Sequence, residues 1–588
     1  MSHTTTGSRQ IDGGSADELR KTGRLLTKLG TQPVCVLWDG EAAYAVDDRC
    51  PHLGFPLHRG TVEQGMVTCH WHHARFDLVS GCTLDPFADD VRAYPVTIEG
   101  DRVLVTVEGP GVDIEHLRRR LVEGLEQDLT LVTAKAVLGL LEAGCAAADV
   151  VDAGVDFGTH YRQQGWGAGL TVLVAMANLL PHLDPADRPL ALVHGLAFVS
   201  RDTRNRPPRF PLEPLGASQV PGERLAGWYR RFIDTRSDEA AERTLATAIA
   251  GAMPIEDVGR LMLAAATDHV FIDEGHTLDF TNKAFEAIDH LGPAAAATVL
   301  PTLVRQTAFA DRSEEHGSWR HPYDLAGLIE RASAVLVGEA AGATPLTDEG
   351  VAELGWQLLA DEPEVVVDAV VAAHRAGATP EQLGRALAFA AALRITRFHV
   401  QNDHADWNVV HHGFTTANGL HQCLIRSPSP ELLRGVVHGA LKVFLDRFLN
   451  VPAARLPTAG SAGSAGTAGS AGTEDLAELQ ACWDTEGNVD RAGGIVFGYL
   501  KGGGDPGRAV AAIGHALLAE DAEFHWFQVV EAAVRQFHAW PAGSDEAALI
   551  LAGAARFLAA HTPTRRELPQ VVRIATRLRR GEVLFEEE

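Results

Sequence analysis

Two short stretches near the start of the chain carry residue types at spacings that bind metal: Cys50-Pro51-His52-Leu53-Gly54 and Cys69-His70-Trp71-His72-His73. The order is Cys-x-His, sixteen residues, then Cys-x-x-His. Two thiolates and two neutral imidazoles offered from two loops form the set in which histidines replace two cysteines on one iron of a two-iron cluster. Type, order and spacing must all agree for such a centre, so the pattern is specific. Cys50, His52, Cys69 and His72 are the expected ligands.

The remaining histidines, of 26 in all, supply a second set of candidates. His269, Asp273 and His276 stand at i, i+4 and i+7, the spacing of one helix face. From Phe398 onwards, His399, Asp403 and Asp406 share one face, and His404, Asn408 and His411 a neighbouring one, with His412 next. Asp521 and His525 are again four apart. Imidazole and carboxylate ligands with open positions suit non-heme iron that activates O2. Facing helices can build such a site. His404, His411, His399 and Asp403 are the leading candidates for a second metal. The plainer reading is that these side chains cap helices, bond carboxylates or line a polar seam.

The elements that must position these residues change character along the chain. Residues 1–16 are rich in Ser, Thr, Gly and Asp and read as a disordered tail. Over 17–110, short strands alternate with Gly and Asp turns. Val34 to Trp38, Asp39-Gly40 and Ala43 to Val46 read as one hairpin; Tyr94 to Ile98, Glu99-Gly100-Asp101 and Val103 to Val107 read as another. Residues 111–588 lose the strands, and apolar positions recur every three or four residues through Ala- and Leu-rich sequence. Helices are expected at about 241–250, 255–267, 281–291, 323–339, 349–360, 364–374, 380–397, 431–449, 508–519, 525–536 and 545–560. The Ala/Gly/Ser/Thr run at 458–473 reads as a flexible loop inside this region. The expected fold is multidomain: a small antiparallel all-β domain followed by a large all-α domain.

The two ligand loops and their strands resemble the Rieske [2Fe–2S] ferredoxin-type domain, over about residues 20–108. The resemblance implies a cluster on Cys50, His52, Cys69 and His72. Respiratory members of that family carry an extra cysteine in each loop, joined as a disulfide; the matching positions here are Phe55 and Trp71. The domain is therefore similar to the ferredoxin and oxygenase type, as Phe76-Asp77 and Ser80-Gly81 also imply. His70 stands where that type has Pro and His73 where it has Gly. Ring-hydroxylating Rieske oxygenases hold a catalytic iron on one Asp and two His spaced His-x4-His, a spacing seen at His316–His321 and His399–His404. Their catalytic domain is a β-sheet wrapped on a helix, however, and the expected Asp before the pair is missing. Glu-x-x-His pairs and a His-Asp dipeptide, marks of two helical oxygenase types, are also missing. The helical region resembles the questin oxidase-like family in Gly165 to Leu170 and His411 to Gly419, a likeness that completes no motif and transfers no residues.

Composition limits the function. At 588 residues, about two to four domains are expected. A net charge of −26 argues against nucleic acid or an anionic membrane as partner. No apolar run is long enough to span a bilayer, and the first residues lack the features of a secretory signal. Seven cysteines make no disulfide framework, so Cys35, Cys82, Cys145, Cys423 and Cys482 are expected as buried free thiols in a cytoplasmic protein. No dinucleotide-binding fold is evident: Gly165-x-Gly167-x-Gly169 follows no strand. An external reductase or ferredoxin must then supply the electrons. The leading expectation is an oxygenase-like oxidoreductase whose cluster relays single electrons to a second, helix-borne non-heme iron for O2-dependent oxidation of a small organic substrate. The alternative is an electron-transfer or redox-sensing protein whose helical part is a docking scaffold without catalysis.

Overall fold

Strand β3 (Gln32–Trp38) shows how the first domain is built. Its side chains alternate between two small cores: Val34 and Val36 enter one with Ala45, Tyr94, Val103 and Val105, while Cys35 and Leu37 enter the other with Val46, Cys50, Val67, Cys69 and Phe76. A stretch buried on both faces must be apolar, and Val34 to Leu37, the four buried residues of this strand, are. The computed structural model describes residues 9–107, 113–216, 220–402, 404–458, 473–582 and 584. The chain divides into two compact units, one of Met1–Val150 with Leu568–Glu588, the other of Val151–Glu567.

In the first unit, β1 (Arg9–Ser15) is followed by the short helix α1 (Ala16–Thr22), then β2 (Arg24–Leu29), β3 and β4 (Ala43–Asp47). β5 (Thr61–Glu63), β6 (Met66–Thr68) and β7 (Arg75–Asp77) form a small meander. β8 (Ala93–Tyr94), β9 (Val96–Glu99) and β10 (Arg102–Val107) complete three antiparallel sheets, ordered β1-β10-β9, β2-β3-β4-β8 and β5-β6-β7. Two differences from expectation have physical causes. Arg9–Ser15 is no loose tail: it pairs with β10 along its length, and Ser15 caps α1; residues 1–8 lie outside the described residues. The run Tyr94 to Ile98 is two strands, because Pro95 has no N–H to continue a ladder. The unit also runs past residue 110, taking in α2 (Ile114–Glu126), α3 (Thr130–Glu142) and residues 568–588, which include most of the helix Glu567–Arg579.

The second unit is helical throughout its described residues. Beyond the β domain the described residues form 23 α-helices. The helix Pro380–Thr396 is buried all round, as its near-continuous Ala and Leu content requires. Helices His276–Leu291, His404–Arg426 and Phe524–His538 are amphipathic in another sense: each buries polar residues with its apolar ones. Residues 459–472, most of the expected flexible loop, lie outside the described residues, and both flanks belong to this unit. No described helix is long and apolar enough to cross a membrane. Of the thiols expected to be buried, Cys35, Cys423 and Cys482 are, but Cys82 is exposed and Cys145 half-exposed, since both sit in irregular connections between elements.

Candidate metal centres

The two ligand loops of the first unit repeat one backbone design. The Cys50 N–H donates to the Phe55 carbonyl at 2.8 Å, and the Gly54 N–H returns to the Cys50 carbonyl at 2.8 Å. In the second loop the Cys69 N–H donates to Ala74 at 2.8 Å, and the His73 N–H returns to Cys69 at 3.0 Å. The fifth residue of each turn is left-handed, Gly54 at φ +86° and His73 at φ +62°. Gly81 closes the far side of the second loop at φ +78°, where a Cβ would lie 1.9 Å from the Val91 carbonyl oxygen. Only glycine fits there.

These turns bring Cys50, His52, Cys69 and His72 together. The imidazoles of His52 and His72 meet edge to face with centroids 4.8 Å apart. The two free thiols lie within hydrogen-bonding reach of each other, and each faces two backbone N–H groups, of His52 and Leu53 for Cys50 and of Trp71 and His72 for Cys69. The Cys50 thiol and those amides hold Cys69 down at about 6, while Cys50 is driven up by its bond to Cys69 and by burial. Burial, with the neighbouring His72 and Lys135, lowers His52 to about 4, so its ring is neutral at pH 7. Its Nδ1 is buried without a hydrogen-bond partner, the condition of a ligand nitrogen aimed at a metal. The four residues fit a [2Fe–2S] cluster. Phe55 and Trp71 place their rings 6.1 Å apart, an aromatic contact where the respiratory type has its disulfide. His70 and His73 are exposed, and Thr61 Oγ1 bonds His70 Nε2 at 2.7 Å.

In the second unit, the structure gathers three histidines from three helices. His276 opens the helix His276–Leu291, His412 lies within His404–Arg426, and His525 is the second residue of Phe524–His538. One ring nitrogen from each lies within 4.8 Å of the others, a spacing that could hold a metal ion. His412 Nε2 and His525 Nε2 are 2.9 Å apart, and Glu274 Oε2 stands 3.4 Å from His412 Nδ1. His411 packs behind the group with its centroid 4.1 Å from that of His525; it is fully buried and neither ring nitrogen has a partner. Burial first, then the neighbouring imidazoles, lowers His412 to about 2 and His525 to about 3; burial also lowers His276. All three are neutral at pH 7 and able to donate lone pairs. The chain enters this site under strain: Phe271, Asp273 and Glu274 are left-handed at φ +39°, +52° and +52°, ahead of Gly275 at +97°. Such clusters of non-glycine residues mark sites where tertiary structure overrides local preference.

His412 also lines a cavity of about 480 Å³ with Phe271, Trp319, Lys442, Asp446 and Glu274. That volume lies within the usual range of small-molecule sites. On two of these helices, His276–Leu291 and Phe524–His538, a charged network continues inward, joined by Asn178 of the helix Ala168–Leu179. Lys283 Nζ bonds Glu286 at 2.8 Å and Glu531 at 2.6 Å, all three side chains being almost fully buried. Asn178 bridges both carboxylates at 2.7 and 3.0 Å, and Gln528 donates to buried Asp279.

The residues singled out in the sequence fare unevenly. His276, His411, His412 and His525 come together. His269 does not join them: the helix Ile255–Thr267 ends before it, and it bonds Glu314 at 2.9 Å. His399 accepts from the Gln401 N–H at 3.2 Å. His316 bonds Asp311 at 2.9 Å on the cavity rim. Asp521 accepts from the Glu567 N–H at 2.7 Å. The side chains of Asp403 and His404 lie outside the described residues.

Two thiol–imidazole loops in a small antiparallel unit define a Rieske-type iron–sulfur electron-transfer protein. Residues 11–95 match the Rieske [2Fe-2S] domain family, and through them the chain belongs to it. It is 30% identical over 99 residues to the ferredoxin component of the 2,4-dinitrotoluene dioxygenase system of Burkholderia sp. (strain RASC), covering 95% of that protein and 17% of this one. It is 27% identical over 163 residues to apoptosis-inducing factor 3 of Homo sapiens, where it spans only 25% of the relative and 28% of this chain. Among solved structures, the ferredoxin of carbazole 1,9a-dioxygenase from Nocardioides aromaticivorans IC177 is 27% identical, with 95% of it covered, 16% of this chain, and a TM-score of 0.16.

Proposed function

We propose that the chain is an oxygenase-like oxidoreductase with two metal centres. The [2Fe–2S] cluster on Cys50, His52, Cys69 and His72 supplies single electrons, received from an external reductase or ferredoxin. The second centre is a non-heme iron on His276, His412 and His525, which supplies O2-dependent oxidation of a small organic substrate. The observation that carries this reading is the convergence of three neutral imidazoles, one of them also lining a cavity of small-molecule size. An all-histidine set leaves coordination positions open for O2 and substrate. His411, buried behind the three with both nitrogens unpartnered, is the fourth imidazole available to it. Glu274 holds His412 from the side away from His525, the usual role of a carboxylate behind a ligating imidazole.

Metal analysis of the full chain tests the proposal. Three irons per chain with acid-labile sulfide for one cluster are expected. His412→Ala should drop the count to two and leave the Rieske EPR and visible spectra as they were. A parent count of two, with no O2 consumed by the reduced protein, would overturn the reading. It would favour a pure carrier with a helical scaffold, in keeping with the near-complete coverage of a free-standing ferredoxin component.

A further inference from the structure

Within the first unit, helix α3 reaches the first ligand loop through one side chain. Lys135 is buried, with its side chain 9% exposed. Its Nζ donates to the Pro51 carbonyl and, at 3.0 Å, to the His52 carbonyl, and lies 3.3 Å from Asp89 Oδ2. An ammonium has three N–H groups, and these three partners use them all. The other Asp89 oxygen takes Arg120 Nε of α2 at 3.2 Å, and Arg120 also donates to the Pro86 and Ala88 carbonyls at 2.9 Å each. Between the two gripped loops sits the His52 ring, with Phe87 edge-on to it at 5.1 Å.

We propose that Lys135 is a positioning residue that sets the reduction potential of the cluster. Reduction adds one negative charge to a centre that already carries two thiolates. A buried cation bonded to the backbone of a ligand favours the reduced state, and low local dielectric keeps its field strong. Asp89 opposes it, so the pair makes opposite predictions. A residue acting only as a strut would shift both variants in the same direction.

The experiment is a redox titration of the cluster-loaded full chain, followed by EPR and visible circular dichroism. Lys135→Met should disfavour reduction at least tenfold, which is 59 mV for a one-electron couple. Asp89→Asn should favour reduction, and Lys135→Arg should stay within threefold of the parent. A Lys135→Met potential within threefold of the parent overturns the proposal, as does movement of both variants in one direction. If Lys135→Met fails to take up its cluster, Asp89→Asn decides alone: an unchanged or lowered potential there overturns it.

Discussion

The thiol–imidazole site and the trihistidine site are built in opposite ways. The first stands on two loops of one small unit, where each cysteine is fixed by the same pair of backbone hydrogen bonds and the histidine follows two or three positions later. The second takes one side chain from each of three helices, with His412 and His525 alone 113 residues apart. A loop site is local: its geometry is written in a few consecutive dihedrals. A helix site is a product of packing, so anything that shifts one helix against another shifts a ligand. The two should therefore fail independently and in different manners. Cys50→Ser should abolish the cluster spectrum and leave the helical metal in place. His525→Ala should remove the helical metal and leave the cluster. Metal counts paired with visible spectra on both variants check this, and loss of both centres in either variant would end the idea of two independent sites.

That contrast also explains what was readable in the sequence. Cys50, His52, Cys69 and His72 could be named because order and spacing within one short stretch carry the information. The β hairpins and the run of helices were readable for the same reason: alternation and three-to-four periodicity are local. The trihistidine site is not, because spacing within one helix joins His269 to His276 and His399 to Asp403. The structure instead takes single residues from helix starts and middles. In the break at 268–275, the three non-glycine residues that turn left-handed, Phe271, Asp273 and Glu274, follow no turn pattern in the sequence. One clue was available: Gly275 directly before His276 marks an entry turn. The strand at Arg9–Ser15 was hidden by Gly13 and Gly14, which read as disorder yet serve a bulged pairing to β10.

A second contrast is in how charge is tolerated. The first unit keeps its carboxylates near the surface, apart from Asp48, whereas the second buries Lys283 between Glu286 and Glu531. Removing one partner of a buried, hydrogen-bonded ion group leaves uncompensated charge, typically about 3–5 kcal/mol. Lys283→Met should lower the urea midpoint of the helical unit accordingly and leave cluster bleaching unchanged. The network shares two helices, His276–Leu291 and Phe524–His538, with the trihistidine site, so looser metal retention should accompany it. A change below about 1 kcal/mol would show the network to be hydrated and structurally idle.

Acid should separate the units by a smaller margin. His438, fully buried on Leu433–Leu445, is lowered to about 3 by burial and by Arg434, with Glu314 and Asp268 opposing and His269 adding to the shift. His194, fully buried with its Nε2 3.0 Å from the Leu518 carbonyl, is lowered to about 4. For each, the folded value lies below the unfolded one of about 6.5. The unfolded chain therefore takes up the proton first. Stability is complete above about pH 6.5 and declines as pH falls toward the folded values, by at most about 1.4 kcal/mol per pH unit per histidine. His438→Gln should shrink the difference in urea midpoint between pH 7 and pH 5.5 by an amount of that order. An unaltered difference would assign the acid sensitivity to other groups.

The smallest expected effect lies inside the loop site, between its two halves. Gly54 and His73 occupy the same left-handed position of the two turns, but only glycine does so without a steric cost. A side chain there costs about 1–2 kcal/mol. Replacing it by glycine also frees the unfolded chain, which returns about 0.4–1 kcal/mol of that gain. His73→Gly should then stabilise the loop by about 1 kcal/mol or less, seen as a higher midpoint for thermal bleaching of the cluster. His73→Ala keeps the left-handed cost and removes the imidazole, so it isolates the backbone contribution. If both variants bleach alike, the ring of His73 and not its φ angle governs that half of the site; if only the glycine variant gains, the two turns are one design with a strained residue in the second.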